Sequence, residues 1–134
     1  MKKLLLLSLC LLLASCASIV DSGDENVMFL TNIDDAKITI QNKNFIPISR
    51  TTSPSVVNLK KGRGFFMGET YTVTAEKEGY ESQTQVLHTT LNGWYLGNII
   101  FGGLIGLLLV DPATGAMWSF DTNTLIFNLD KVEE

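Results

Sequence analysis

Few residues in this chain could do covalent or metal chemistry. Its 134 residues include two cysteines and one histidine. His88 has almost nothing around it from which to build a zinc site, a Ser-His-Asp triad or a Cys-His pair. A lone histidine in a polar strand reads as a surface residue or one with its hydrogen bonds satisfied. Asp34-Asp35 sits among turn formers and reads as a solvated pair rather than an ion site. Asp111 precedes Pro112 and lacks the alternating acids of a calcium loop, so it reads as a helix stop. Lys60-Lys61-Gly62-Arg63-Gly64 puts cations beside glycines, but not at the spacing of a phosphate loop. It reads as a hairpin tip, with a phosphate- or glycan-contacting loop as the alternative. Phe65-Phe66-Met67 beside it is expected in the core; if exposed, those side chains would mark a binding surface. Lys60, Lys61, Arg63, Phe65 and Phe66 are therefore the candidate binding loop. No enzyme activity and no cofactor are expected, which leaves the thiols of Cys10 and Cys16.

Both cysteines belong to the N-terminal stretch. Met1-Lys2-Lys3 leads into an almost unbroken apolar block, Leu4 to Ala14. A basic head, an apolar core of roughly 7–15 residues and small residues at the end describe a secretory signal. The block is too short to span a membrane, which takes roughly 17–25 apolar residues. Its ending, Leu13-Ala14-Ser15-Cys16, resembles the lipobox of bacterial lipoproteins. The resemblance implies that residues 1–15 are removed, that the Cys16 thiol carries a diacylglyceryl group, and that the new N-terminus is acylated as well, with palmitate a typical chain. Each buried methylene contributes about 0.8 kcal/mol, so one chain holds marginally and two or three hold firmly. By analogy with enteric Gram-negative lipoproteins, Ala17 in place of Asp favours the outer membrane over the inner one. The implied location is the cell envelope, with membrane lipid as the first partner.

The chain carries 14 acidic and 10 basic residues, a formal charge of −4. Loss of Lys2 and Lys3 with the signal takes this to −6. An acidic chain with no basic cluster argues against nucleic acid as a partner and against electrostatic attraction to anionic lipid. Cys10 leaves with the signal and lipid consumes Cys16, so the mature chain must hold together without a disulfide.

The elements that would position these residues are mostly strands. Ala17 to Asn26 reads as a polar tether. Period-two patterning then begins at Val27, with Ile38 and Ile40 on one face of Lys37–Gln41. Pro47 confines Phe45–Ile48 to an edge strand or an irregular extension. Ser53-Pro54-Ser55 punctuates, Val56–Leu59 runs into the basic loop, Tyr71–Glu76 alternates cleanly, and Glu78-Gly79-Tyr80 turns into a polar strand ending near Thr89. Short strands at this spacing suggest a small β-sandwich.

Thr52-Ser53-Pro54-Ser55-Val56-Val57-Asn58-Leu59-Lys60-Lys61-Gly62, followed by Tyr71 to Glu81 with its Gly79-Tyr80, resembles a PEGA-type module. Such modules are small envelope β-sandwiches in which a Pro-centred turn leads to an extended segment and a later strand ends in Gly-Tyr. Here Arg50-Thr51 stands where a glycine is usual, and Gly62 to Gly68 is an insertion. The resemblance implies a fold and an envelope setting, and no catalytic residues.

Trp94 to Val110 is seventeen residues without a charge. On a helix Asn98, Gly102 and Gly106 form one small-sided stripe, with Gly103 beside it, the spacing at which helices approach closely. Trp94 and Tyr95 stand at one end, as an interfacial belt would place them. The alternatives are a membrane-inserted or interfacial helix, a helix or hairpin packed on the protein or another copy, or a strand pair broken at Gly102-Gly103. At 1.5 Å per residue the stretch reaches about 25 Å, short of a hydrocarbon core of roughly 30 Å. Met117–Phe120 and Leu125–Leu129 then read as a closing hairpin through Asp121–Thr124. This C-terminal part, with Val110-Asp111 and Thr114-Gly115-Ala116, resembles a recurring tail of small bacterial lipoproteins. Lys131 to Glu134 reads as a solvated end.

The expected organisation is a signal (1–15), a tether (16–26), a PEGA/transthyretin-like sandwich (27–90), a glycine-rich apolar helix (91–112) and closing strands (113–134). The expected function is a structural or interaction role in the envelope, by self-association or through an envelope protein. A binding module for cell-wall glycan and an immunity or inhibitor lipoprotein are the alternatives.

Overall fold

The computed structural model describes residues 23–93 and 117–133. The signal, Cys16 and most of the tether lie outside them, as do Trp94, Tyr95, Asn98, Gly102, Gly103 and Gly106. Among the described residues the chain is mainly β. Its strands are β1 (Asp24–Thr31), β2 (Lys37–Gln41), β3 (Pro47–Thr52), β4 (Ser55–Lys60), β5 (Gly62–Gly64), β6 (Met67–Gly68), β7 (Thr70–Glu76), β8 (Gln83–Leu91), β9 (Trp118–Phe120) and β10 (Thr124–Phe127). They form a three-stranded sheet β10-β1-β4, a five-stranded sheet β3-β2-β7-β8-β9 and the two-stranded β5-β6. No complete helix lies among the described residues, and the expected 91–112 helix overlaps them only at its start, where Leu91 still belongs to β8.

The chain divides into two compact units. One comprises Glu25–Leu59, Glu69–Thr89 and Phe120–Glu134 and holds the core. Alternation builds it. Tyr71, Val73 and Ala75 are the buried residues of β7, and Ile38 and Ile40 those of β2. Val27 and Phe29 from β1, Leu125 and Phe127 from β10, and Leu59 from β4 join the same cluster. The inward faces of two sheets thus share one apolar interior, each large side chain contributing roughly 1.5–3 kcal/mol on burial. Tyr71 and Phe120 meet there at 6.0 Å between ring centroids.

Pro47 takes the edge position its missing N–H demands: β3 is the outer strand of the five-stranded sheet. Gly79 turns the chain after β7 at φ +81°, where a side chain is strained. The first strand begins at Asp24, earlier than the expected end of the tether at Asn26.

The closing hairpin does not form. β9 lies beside β8, whereas β10 crosses to the other sheet and pairs in parallel with β1, Met28↔Thr124 through Thr31↔Phe127. The turn between them explains the parting. Thr122 N–H donates to Asp121 Oδ1, the Thr122 hydroxyl donates to the Thr124 carbonyl, and Asp121 N–H is held by the His88 carbonyl at 2.9 Å. These bonds satisfy the turn locally and release Leu125, Phe127 and Leu129 to face the core on alternate residues. The end from Lys131 is exposed, as expected, while its backbone is held: Tyr80 bridges Lys131, and Val132 N–H donates to the Gly79 carbonyl at 3.1 Å.

Candidate functional site

The second unit includes, among the described residues, Gly23, Asp24, Lys60–Gly68, Thr90–Gly93 and Met117–Ser119. Its hairpin is the candidate binding loop. Gly62 pairs with Gly68 and Gly64 with Met67, a register shift intervening on the β5 side, so Phe65 and Phe66 make the tip. Tight hairpin tips need positive φ, which Asn or Gly usually supplies. Here Phe66 takes it, at +57°. Gly64 stands at +155°, and a Cβ added there would meet Met67 Cε at 2.9 Å.

The side chains at this tip face outward. Phe65, Phe66 and Met67 are 49%, 47% and 46% exposed, which corrects the expectation of a core position. A loop of seven residues paired only with itself offers no interior in which to hide them. Their rings meet edge to face at 5.2 Å and 70°. The Arg63 guanidinium lies over the Met67 thioether, Nη2 to Sδ 4.0 Å. Lys60 and Arg63 are exposed. Lys61 is not: its side chain is fully buried, so it leaves the outward-facing set. A basic run read from sequence cannot separate these, because adjacent strand residues point to opposite sides.

Two backbone contacts organise this unit. Lys61 N–H donates to the Gly23 carbonyl at 2.9 Å, which puts the start of the described chain at the base of the hairpin. Asn92 N–H donates to the Met117 carbonyl at 2.7 Å, joining two described stretches that are far apart in sequence. The hydroxyl of Thr90 reaches the Ser119 carbonyl beside it. Both contacts join residues far apart in sequence, so no local pattern announces them.

The other sites read from sequence are unremarkable chemically. His88 is exposed on β8. Asp35 occupies a turn at φ +54°, and Lys77 Nζ donates to the Asp34 and Asp35 carbonyls at 3.1 and 3.3 Å. A cation is already seated on those oxygens, against an ion site there. The open depression beside it, about 550 Å³, is lined by mixed charges including Asp35, Lys37, Glu76, Lys77 and Glu78. Among the described residues no helix is long and apolar enough to cross a membrane.

Sequence reasoning also missed an apolar surface on the core unit. Phe45 is 69% exposed at φ +59°, and Ile46 and Ile48 stand exposed next to it on the edge of the five-stranded sheet. Pro47 signalled an edge, but not that the neighbouring side chains would stay in water. Comparison with known proteins found no family model, curated protein or solved structure that matches the chain.

Proposed function

We propose that this protein is a bacterial lipoprotein of the cell envelope, tethered through lipid on Cys16 and serving a structural or interaction role. The observation that carries this reading is the sequence Leu13-Ala14-Ser15-Cys16 closing an apolar signal only seven residues before the first strand at Asp24. A thiol placed there is positioned for acylation, and the short interval keeps the folded part near the anchor. The outer membrane is favoured by Ala17.

The finer fold, a PEGA/transthyretin-like sandwich, draws support from three features. The Ser53–Pro54 turn leads into β4, β7 ends at Glu76 shortly before the Gly79-Tyr80 turn, and two sheets share one interior. The glycine-rich segment 94–110 serves as a contact with membrane or with a second copy.

Growth with a radiolabelled fatty acid tests the anchor. The wild-type chain should carry label and stay with the membrane fraction; Cys16→Ser should lose both. An unlabelled wild-type chain that washes off as a soluble species would overturn the reading.

A further inference from the structure

We propose that the β5–β6 hairpin is a membrane-contact loop, with Phe65, Phe66 and Met67 seated in the interface of the bilayer that holds the Cys16 lipid. This rests on the lipid-anchor reading and goes beyond it, since an anchored protein need touch its membrane nowhere else.

Three observations converge on a lipid surface rather than another occupant. First, the tip presents three apolar side chains in succession, each about half exposed, with the two rings stacked edge to face. Aromatic rings at the tip of a narrow projection suit the headgroup region, where amphipathic rings accumulate. Second, the chain itself delivers the tip to the bilayer. Gly23 is bonded to Lys61 at the foot of the hairpin, and six residues separate it from Cys16. Fully extended, the seven residue-to-residue steps between them reach about 25 Å, so the foot lies within about that distance of the lipidated residue. The hairpin extends about 10 Å further, at roughly 3.3 Å per strand residue, well within the slack of the tether. A tethered loop meets its own membrane at high effective concentration, and a weak contact then suffices.

Third, charge agrees. The stretch Lys60 to Gly68 contains Lys60, Lys61 and Arg63 and no acid, in a chain of net charge −4. Arg63 is exposed and stands two positions before Phe65, on the strand side of the tip. A cation just behind an apolar tip is placed for a lipid phosphate when the tip enters the interface, its aliphatic stem lying along it. Arg63, drawn over Met67, is already folded toward the tip.

The mature chain has no thiol apart from Cys16, which lipid consumes, so Phe66→Cys creates a single labelling site. The acylated full-length chain, labelled there with an environment-sensitive fluorophore, is reconstituted into phosphatidylethanolamine/phosphatidylglycerol vesicles. Glu78→Cys, on an exposed polar turn with no apolar side chain to insert, serves as the reference. Vesicles containing spin-labelled acyl chains should quench the residue-66 probe about twofold and shift its emission to the blue, as an interfacial position requires. The residue-78 probe should change little. Replacing Phe65 by Ser in the residue-66 variant should reduce that quenching. A residue-66 probe that behaves like the residue-78 probe, on a chain shown by fatty-acid label to be acylated, would overturn the proposal and leave the anchor standing. Absence of acyl label would instead remove the anchor reading and this proposal with it. A blue shift seen only with purified peptidoglycan would assign the hairpin to glycan and also overturn it.

Discussion

Three phenylalanines show how position decides what a residue does. Phe127 is fully buried in the shared interior, whereas Phe45 and Phe66 lie exposed with left-handed backbones. Phe127→Ala should cost about 3–5 kcal/mol, the range for deleting a buried aromatic. Ile126→Ser, one residue away but 55% exposed, should change stability by less than about 0.5 kcal/mol. Denaturant midpoints of the two variants check both. Phe45→Asn should be neutral or stabilise by up to about 1 kcal/mol, because asparagine tolerates the left-handed region better and no core contact is lost. Gly79→Ala runs the other way. Nothing lies within 4 Å of the added methyl, yet φ +81° should make the change destabilising by about 1 kcal/mol. Loss there would identify backbone strain rather than crowding as the cause.

At the scale of elements, the strands whose alternation is local were legible in the sequence. Ile38 and Ile40 face inward on β2, and Tyr71, Val73 and Ala75 do so on β7. Which strands pair was much less legible. Leu125, Phe127 and Leu129 alternate equally well in a hairpin with β9 or in parallel with β1, because period two fixes a face and not a neighbour. What selects β1 is contact across most of the chain. Asn32 clamps the tail, its Nδ2 donating to the Leu129 carbonyl at 3.1 Å and its Oδ1 accepting Leu129 N–H at 2.8 Å. Asn32→Ala should therefore destabilise by about 1–3 kcal/mol, since two part-buried backbone groups lose their partner. Amide exchange at Phe127 to Lys131 should quicken before that of β7. Uniform quickening would mean that the clamp serves the whole fold instead of the tail.

The candidate site was legible in composition but not in orientation. Lys60, Arg63, Phe65 and Phe66 emerge together on one hairpin, as a basic loop beside aromatics suggested, while Lys61 turns inward and Met67 joins the exposed tip. The Gly23–Lys61 bond that places this hairpin near the chain start spans residues with no shared motif.

For the whole molecule, proximity to a membrane depends on one covalent event, the proposed acylation of Cys16. The exposed Phe65–Phe66 pair belongs to the same compact unit as Gly23. Attachment by one acyl chain would be marginal, and by two or three effectively permanent. The most direct measurement is the mass of the N-terminal peptide from the protein purified out of envelopes. Residues 1–15 should be gone, and Cys16 should carry the mass of a diacylglyceryl group with a further acyl chain on its amine. A peptide that keeps Met1 to Ser15, or one in which Cys16 bears a free thiol, would contradict the account.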